Sequence, residues 1–267
     1  MAGYFTDASL IRRIHREQVV AFSAPRALLM QAAHPVAFAG FFMSTGALDR
    51  PYDRLARTAR VLDTVFFGER EAADRATAAV RRVHSRMRGT LSEGVGRFPA
   101  GTEWAADDPA LLLWILATLA DSGALVYERY VGALSRAQRD SYWEDYRVVG
   151  SLFGLADSDM PADSRELEIY MHDMLAGDVL HVSDQARELG VEIVLRPPVP
   201  ITRRPMLELA NFITVGLLPG RIRRQYELGW DPVRALTLRV GGEYAKRLVL
   251  PALPQRVRLR PARVIAA

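Results

Sequence analysis

Residues 108–130 read DPALLLWILATLADSGALVYERY, and this stretch decides the fold class. Pro109 marks the start of a helix running to about 132, because a proline in the first helical turn removes a donor that would be unbonded anyway. Leu112, Ile115, Leu116 and Leu119 recur at helical spacing and place this helix at the centre of a bundle. Asp121 and Ser122 interrupt the apolar surface. A buried carboxylate needs an arginine or several donors, so Asp121 is either a partner behind a pocket group or half of a structural ion pair, and the structural pair is the expectation.

Working outward from that helix, the 69–90 segment is alanine-rich and charged, a good helix former through Gly89. A loop rich in Gly, Pro and Asp joins it to the central helix. Pro51 starts a helix to about 67, and Ser135 starts another to about 153. Asp7 can cap a helix through about 20, and Pro25 suits the first turn of the next. Pro35 directly after His34 bends or ends that helix, and a histidine at such a break can bond a freed carbonyl. Residues 163–176, 203–218 and 231–249 carry further helical periods. GVEIVLRPPVPIT (190–202) reads as a strand-like or irregular connector, since three prolines follow a β-branched run. No internal repeat or low-complexity segment appears, so the expectation is one all-α helical bundle spanning 1–267.

Composition narrows the function classes. The 267 residues carry a net charge of +4, nearly all the positive charge is arginine, and Lys246 is the sole lysine. No basic motif interleaved with aromatics and no zinc-finger spacing supports a nucleic-acid partner. The basic run RVRLRPAR (256–263) reads as a solvated tail. Cysteine is absent, which removes disulfides and thiolate chemistry and leaves histidine, beside Tyr and Met, as the strong candidate ligand for any metal. The N-terminus has no basic region followed by an apolar one, so a cytoplasmic protein is expected. The apolar runs near 27–43 and 109–120 are interrupted or too short for a bilayer about 30 Å thick, and no stable membrane insertion is expected. GxSxG, GxGxxG, Walker A and HExxH patterns do not occur, and YMHDML supplies too few ligands for a two-iron carboxylate site.

Chemistry concentrates in PYDRLARTARVLDTVFFG (51–68) and ATAAVRRVHSRMRGT (76–90). On a helix over 52–66, Arg54, Arg57, Thr58, Val61 and Val65 follow i, i+3, i+4, i+7, i+11 and share one side. Two arginines stacked above valines suggest a pocket mouth; the alternative is that both reach past the valines to water. His84 follows Val80 by one turn and lies among cations. Arg81 and Arg88 are the arginines nearest to it by helical position. His15 sits among Arg12, Arg13 and Arg16 on an expected exposed face, and His172 and His181 read as surface or capping residues. Tyr127 and Tyr170 are conceivable axial ligands, but burial with one hydrogen bond accounts for each.

These segments, with QAAHPVAFAG (31–40), YWEDYRVVGSLFGL (142–155), ITVGLLPGRIRRQYELGWD (213–231) and PALPQRVR (251–258), resemble the catalytic domain shared by bacterial rubber oxygenases and the fungal oxygenase of mycophenolic acid synthesis. The resemblance covers almost the whole chain. It implies a haem b protein with an all-α, globin-like core that uses dioxygen. It makes His84 the proximal iron ligand and sets Arg54 and Thr58 at the distal face as catalytic residues. Beside these, the residues' own positions make Arg57, Val61 and His34 candidate haem contacts, and helical position makes Arg81 and Arg88 candidate partners of the anionic propionates.

Departures limit the carry-over of chemistry. Rubber oxygenases have a Lys directly before the Thr, able to cap the iron, where this chain has Arg57; a guanidinium stays protonated and cannot ligate. Many relatives carry a His two residues after the tryptophan of the central helix, where Leu116 stands here. Between Glu17 and Asp49 no carboxylate is present to serve as the base proposed for rubber oxygenases, leaving His34 as the titratable group. The implied function is oxidative cleavage or oxygenation of a hydrophobic, unsaturated small molecule. A haem- or lipophile-binding protein without turnover, a sensor or carrier, is the alternative.

Overall fold

The computed structural model describes residues 2–42 and 50–260. In chain order the main helices are α1 (Leu10–His15), α2 (Ser23–Ala32), α3 (Pro35–Phe42), α4 (Pro51–Phe67), α5 (Arg70–His84), α6 (Pro109–Tyr130), α7 (Arg136–Phe153), α8 (Ser164–Ala176), α9 (Asp184–Gly190), α10 (Arg204–Leu217), α11 (Gly220–Gln225) and α12 (Pro232–Tyr244). Among the described residues one sheet interrupts them, an antiparallel pair of β1 (Arg88–Thr90) and β2 (Glu103–Ala105). The fold is all-α.

α6 is the axis. Its start is fixed by Asp108, whose carboxylate accepts from the Ala110 amide at 2.8 Å, with Pro109 in the first turn. The helix is apolar on every side because neighbours surround it. Leu111, Trp114 and Ala117 join a cluster with Leu29 and Met30 of α2, Phe38 of α3 and Ile222 of α11. Leu113, Leu116, Ala120 and Tyr127 face a second cluster with Ile11 and Ile14 of α1, Val65 and Phe66 of α4 and Trp143 and Tyr146 of α7. Val126 and Tyr130 meet Ile213 and Leu217 of α10 and Leu238 of α12. α6 is long and apolar enough to cross a membrane, and here it is a buried core helix.

The polar breaks in α6 are cross-links. Arg26 of α2 is buried and donates from Nη1 to Asp121 at 2.7 Å and to Ser122 Oγ at 2.6 Å, and from Nε to the Leu217 carbonyl at 2.8 Å. One guanidinium thus ties α2, α6 and the end of α10, and Asp121 is the structural pair expected of it. One turn closer to the start of α6, Gln31 donates to Thr118 Oγ1 at 3.0 Å. α7 opens on a capping box made by Ser135 and Gln138.

Several sequence expectations need correction. α1 begins behind Ser9 and stops at His15, because Glu17 is extended and a 3₁₀ turn follows at Gln18–Phe22; Asp7 pairs with Arg12 at 3.3 Å instead of capping. α5 ends at His84, and the chain re-enters as β1, where Gly89 pairs with Trp104. A Cβ at Gly89 would lie 2.8 Å from the indole, so only glycine admits this approach. The stretch expected to be strand-like continues α9 as a π-helical turn, Val191–Leu195, with Ile193 and Leu195 buried. Its amides are satisfied helically, and the prolines act only after Arg196. The basic run 256–263, described to 260, is not a solvated tail there: Arg258 donates to both carboxylate oxygens of buried Glu17 at 2.7 and 2.8 Å, and Arg260 pairs with Asp63.

His15 is also not on an open face. Its Nε2 lies 3.0 Å from both the Tyr142 and Tyr146 hydroxyls, and its ring packs 4.7 Å from Phe66. Burial, with the charge of Arg260, lowers its pKa to about 3.

Candidate functional site

α4 and α5 form a helical hairpin about Gly68 and Glu69. Pro51 opens α4, and Ala73 and Thr77 give α5 a small, buried side along which the helices approach. Running antiparallel, the first turns of α4 come opposite the last turn of α5. That topology brings Arg54 to His84, whereas Phe66 and Phe67 at the other end enter the core.

Electrostatics registers this proximity. The His84 pKa is lowered first by burial, then by the positive charge of Arg54, against a smaller upward pull from Asp107. Its imidazole is therefore neutral at neutral pH, with a lone pair to offer. Nδ1 is buried and has no hydrogen-bond partner. Such a nitrogen is costly unless something else engages it, and a metal ion or a hydrogen-bonding ligand does so. Arg54 is itself partly buried, and burial with the neighbouring Arg57 pulls its pKa down. A guanidinium remains a cation under these influences.

The remaining candidates are spread along and around this hairpin. Thr58 is exposed, and its hydroxyl donates to the Arg54 carbonyl at 3.2 Å. Arg57 is exposed, Val61 is half-buried and Val65 is buried, so the stripe descends from water into the core. Arg88 leaves the helical register because it lies on β1; it donates to Asp107 at 3.1 Å. Since Asp107 acts on His84, the Arg88–Asp107 pair still stands beside the imidazole. Arg81 turns away, donating to the Leu152 carbonyl near the end of α7. Lysine and arginine commonly satisfy last-turn carbonyls in this way.

His34 occupies the junction of α2 and α3. Among the described residues it bonds no freed carbonyl: Nδ1 accepts from the Ala37 amide at 3.4 Å, at the start of α3. Its ring packs 5.6 Å from Phe98 in the loop between β1 and β2. Burial lowers its pKa to about 4; its own backbone hydrogen bond and Asp108 oppose that shift, and Arg97 adds to it. His172 and His181 are exposed.

Sequence reasoning passed over Asp107, Trp104 and Phe98. All three come from the loop that carries β1 and β2, and Trp104 also touches the position of Gly40 in α3. The signal was the alternation in RGT and TEWA around a glycine-rich turn, too short to outweigh helical periods on either side.

The family described as "ER-bound oxygenase mpaB/B'/Rubber oxygenase, catalytic domain" matches residues 12–247, a span that holds every candidate residue above. The chain belongs to this family of oxygenase catalytic domains, which implies use of dioxygen. No curated protein and no solved structure matches it.

Proposed function

We propose that this oxygenase-family chain is a haem b-dependent oxygenase acting with dioxygen on a hydrophobic, unsaturated small molecule, with His84 the residue that would hold the haem. The observation that carries the proposal is the His84 imidazole, neutral, with Nδ1 buried and unpartnered, beside the Arg54 cation. The donor set agrees: a neutral imidazole with arginines nearby suits both the iron and the anionic propionates of a haem. The residues present therefore fit a haem.

Haem b, when bound, supplies a redox-active iron for dioxygen chemistry. The chain's contribution is positional and electrostatic. His84 would hold the group through an imidazole that burial keeps deprotonated. Arg54 presents a fixed positive charge in a partly dry setting, where it stabilises negative charge developing on oxygen more than it would in water. The Thr58 proton is engaged by the Arg54 carbonyl, so a χ1 rotation is needed before that hydroxyl can donate elsewhere. Val61 and Val65 limit water on the stripe below. Arg57 and Arg88 are exposed arginines suited to propionate carboxylates, and Arg57 cannot close the iron as an amine would.

Protein produced with ample haem supply tests this. A Soret band together with oxygen consumption on a hydrophobic alkene is the expected result. Haem retained without oxygen uptake across a panel of alkenes would favour a carrier, and a colourless protein that takes up no haem would remove the proposal.

A further inference from the structure

Charge is divided unevenly along the chain. Residues 196–267 carry fourteen Arg and Lys against four Asp and Glu, a net +10, whereas residues 1–195 carry 21 against 27, a net −6. α12 lies inside the basic segment. Its inner side packs Leu238 against α6 and α10. Its opposite side bears Val233, Leu236, Val240 and Tyr244, which are 73%, 58%, 58% and 59% exposed. Their i, i+3, i+7, i+11 spacing aligns them in one row.

A helix on the surface of a globular protein turns polar groups outward, and α12 does the reverse. Arg239, Glu243 and Arg247 follow i, i+4, i+8 along one flank of the row. Arg247 is paired with Glu243 at 3.1 Å, whereas Arg239 is exposed and makes no ion pair among the described residues. Exposed Leu248 continues the apolar surface past the helix end.

We infer that the outer face of α12 docks on an anionic lipid bilayer, its apolar row entering the interfacial layer and its arginines meeting lipid phosphates. An apolar ridge within a cationic segment matches that surface in both chemistry and charge. A second copy of the chain fits less well, because residues 231–249 carry Arg234, Arg239, Lys246 and Arg247 against Asp231 and Glu243, and an isologous contact through α12 would oppose two surfaces of net +2. This is adsorption through an outer face, and among the described residues the one helix able to cross a membrane is the buried α6. The inference rests on exposure and charge alone and stands whichever cofactor the chain holds.

Flotation of the full-length protein with vesicles tests it. Binding is expected to vesicles of phosphatidylglycerol mixed with phosphatidylcholine, to weaken at high salt, and to be largely absent with phosphatidylcholine alone. The combined change Val233→Ser, Leu236→Ser and Val240→Ser should weaken binding roughly tenfold or more, and Arg239→Gln with Arg247→Gln should weaken it at low salt. Circular dichroism and an unchanged melting point establish that these exposed positions leave the fold intact. No flotation, equal binding to neutral vesicles, or a triple variant that binds like wild type would overturn the inference. So would a dimer in sedimentation velocity that the triple variant converts to monomer, which would assign the face to a second copy.

Discussion

Arg26→Ala removes the guanidinium that links three helices. The side chain is 5% exposed and donates to Asp121, Ser122 and the Leu217 carbonyl at 2.6–2.8 Å. Removing one member of a buried ionic network costs about 3–5 kcal/mol, because the other members stay desolvated and unpaired. The Asp121 side chain is 34% exposed and recovers some hydration, which places the expected loss near the lower limit, about 3 kcal/mol. For a chain of this size that corresponds to a fall in Tm of roughly 6–12 °C. Urea titration followed by circular dichroism measures it, and a double-mutant cycle with Asp121→Ala isolates the pair. A loss below about 1 kcal/mol, or no coupling between the two positions, would refute the reading of Arg26 as the central tie.

At the site, Arg54→Ala and Thr58→Ala should each leave haem content near wild type while lowering oxygen-dependent turnover by about two orders of magnitude, the usual worth of one donor acting on developing oxygen charge; full activity in both variants would exclude the distal role. For pH dependence, the unfolded chain binds more protons than the folded one between the ordinary histidine pKa near 6.5 and the lowered values of His34 and His15, about 4 and about 3. Stability therefore rises with pH through that window and is lost as pH falls from about 6.5 toward 4, a slope that His34→Gln should reduce in urea midpoints and that a flat profile would contradict. Gly89→Ala forces a Cβ to 2.8 Å from the Trp104 indole and should cost about 1–3 kcal/mol, with a changed near-UV signal from the tryptophan. An unaltered spectrum and stability would mean the hairpin relaxes freely.

Long helical periods were legible in the sequence because burial enforces them. Pro51, Pro109 and Ser135 marked α4, α6 and α7 through local backbone chemistry that tertiary structure had no reason to override. The Asp121 pair was legible too, although its arginine, Arg26, lies 95 residues away and carries no local sign of its partner. What was not legible depended on contacts between distant segments. His15 looked exposed beside three arginines, and only the packing of α7 and α4 around it reveals two tyrosine hydroxyls on its ring. Arg88 was assigned to a helix by periodicity, while its actual place on β1 follows from the Gly89–Trp104 approach. Arg81 has the right spacing to His84, but a carbonyl near the end of α7 claims it. Within the candidate site, the proximity of Arg54 to His84 follows from an antiparallel hairpin of two adjacent helices, a geometry that short connections favour.

Whether His84 holds the iron is read directly from the iron content and Soret spectrum of His84→Ala beside wild type, both produced with added haem. The expected result is wild-type protein with stoichiometric haem iron and a variant that has lost the haem or shows a displaced Soret maximum, with its far-UV circular dichroism retained. A variant with the same iron content and an unchanged Soret band would contradict it.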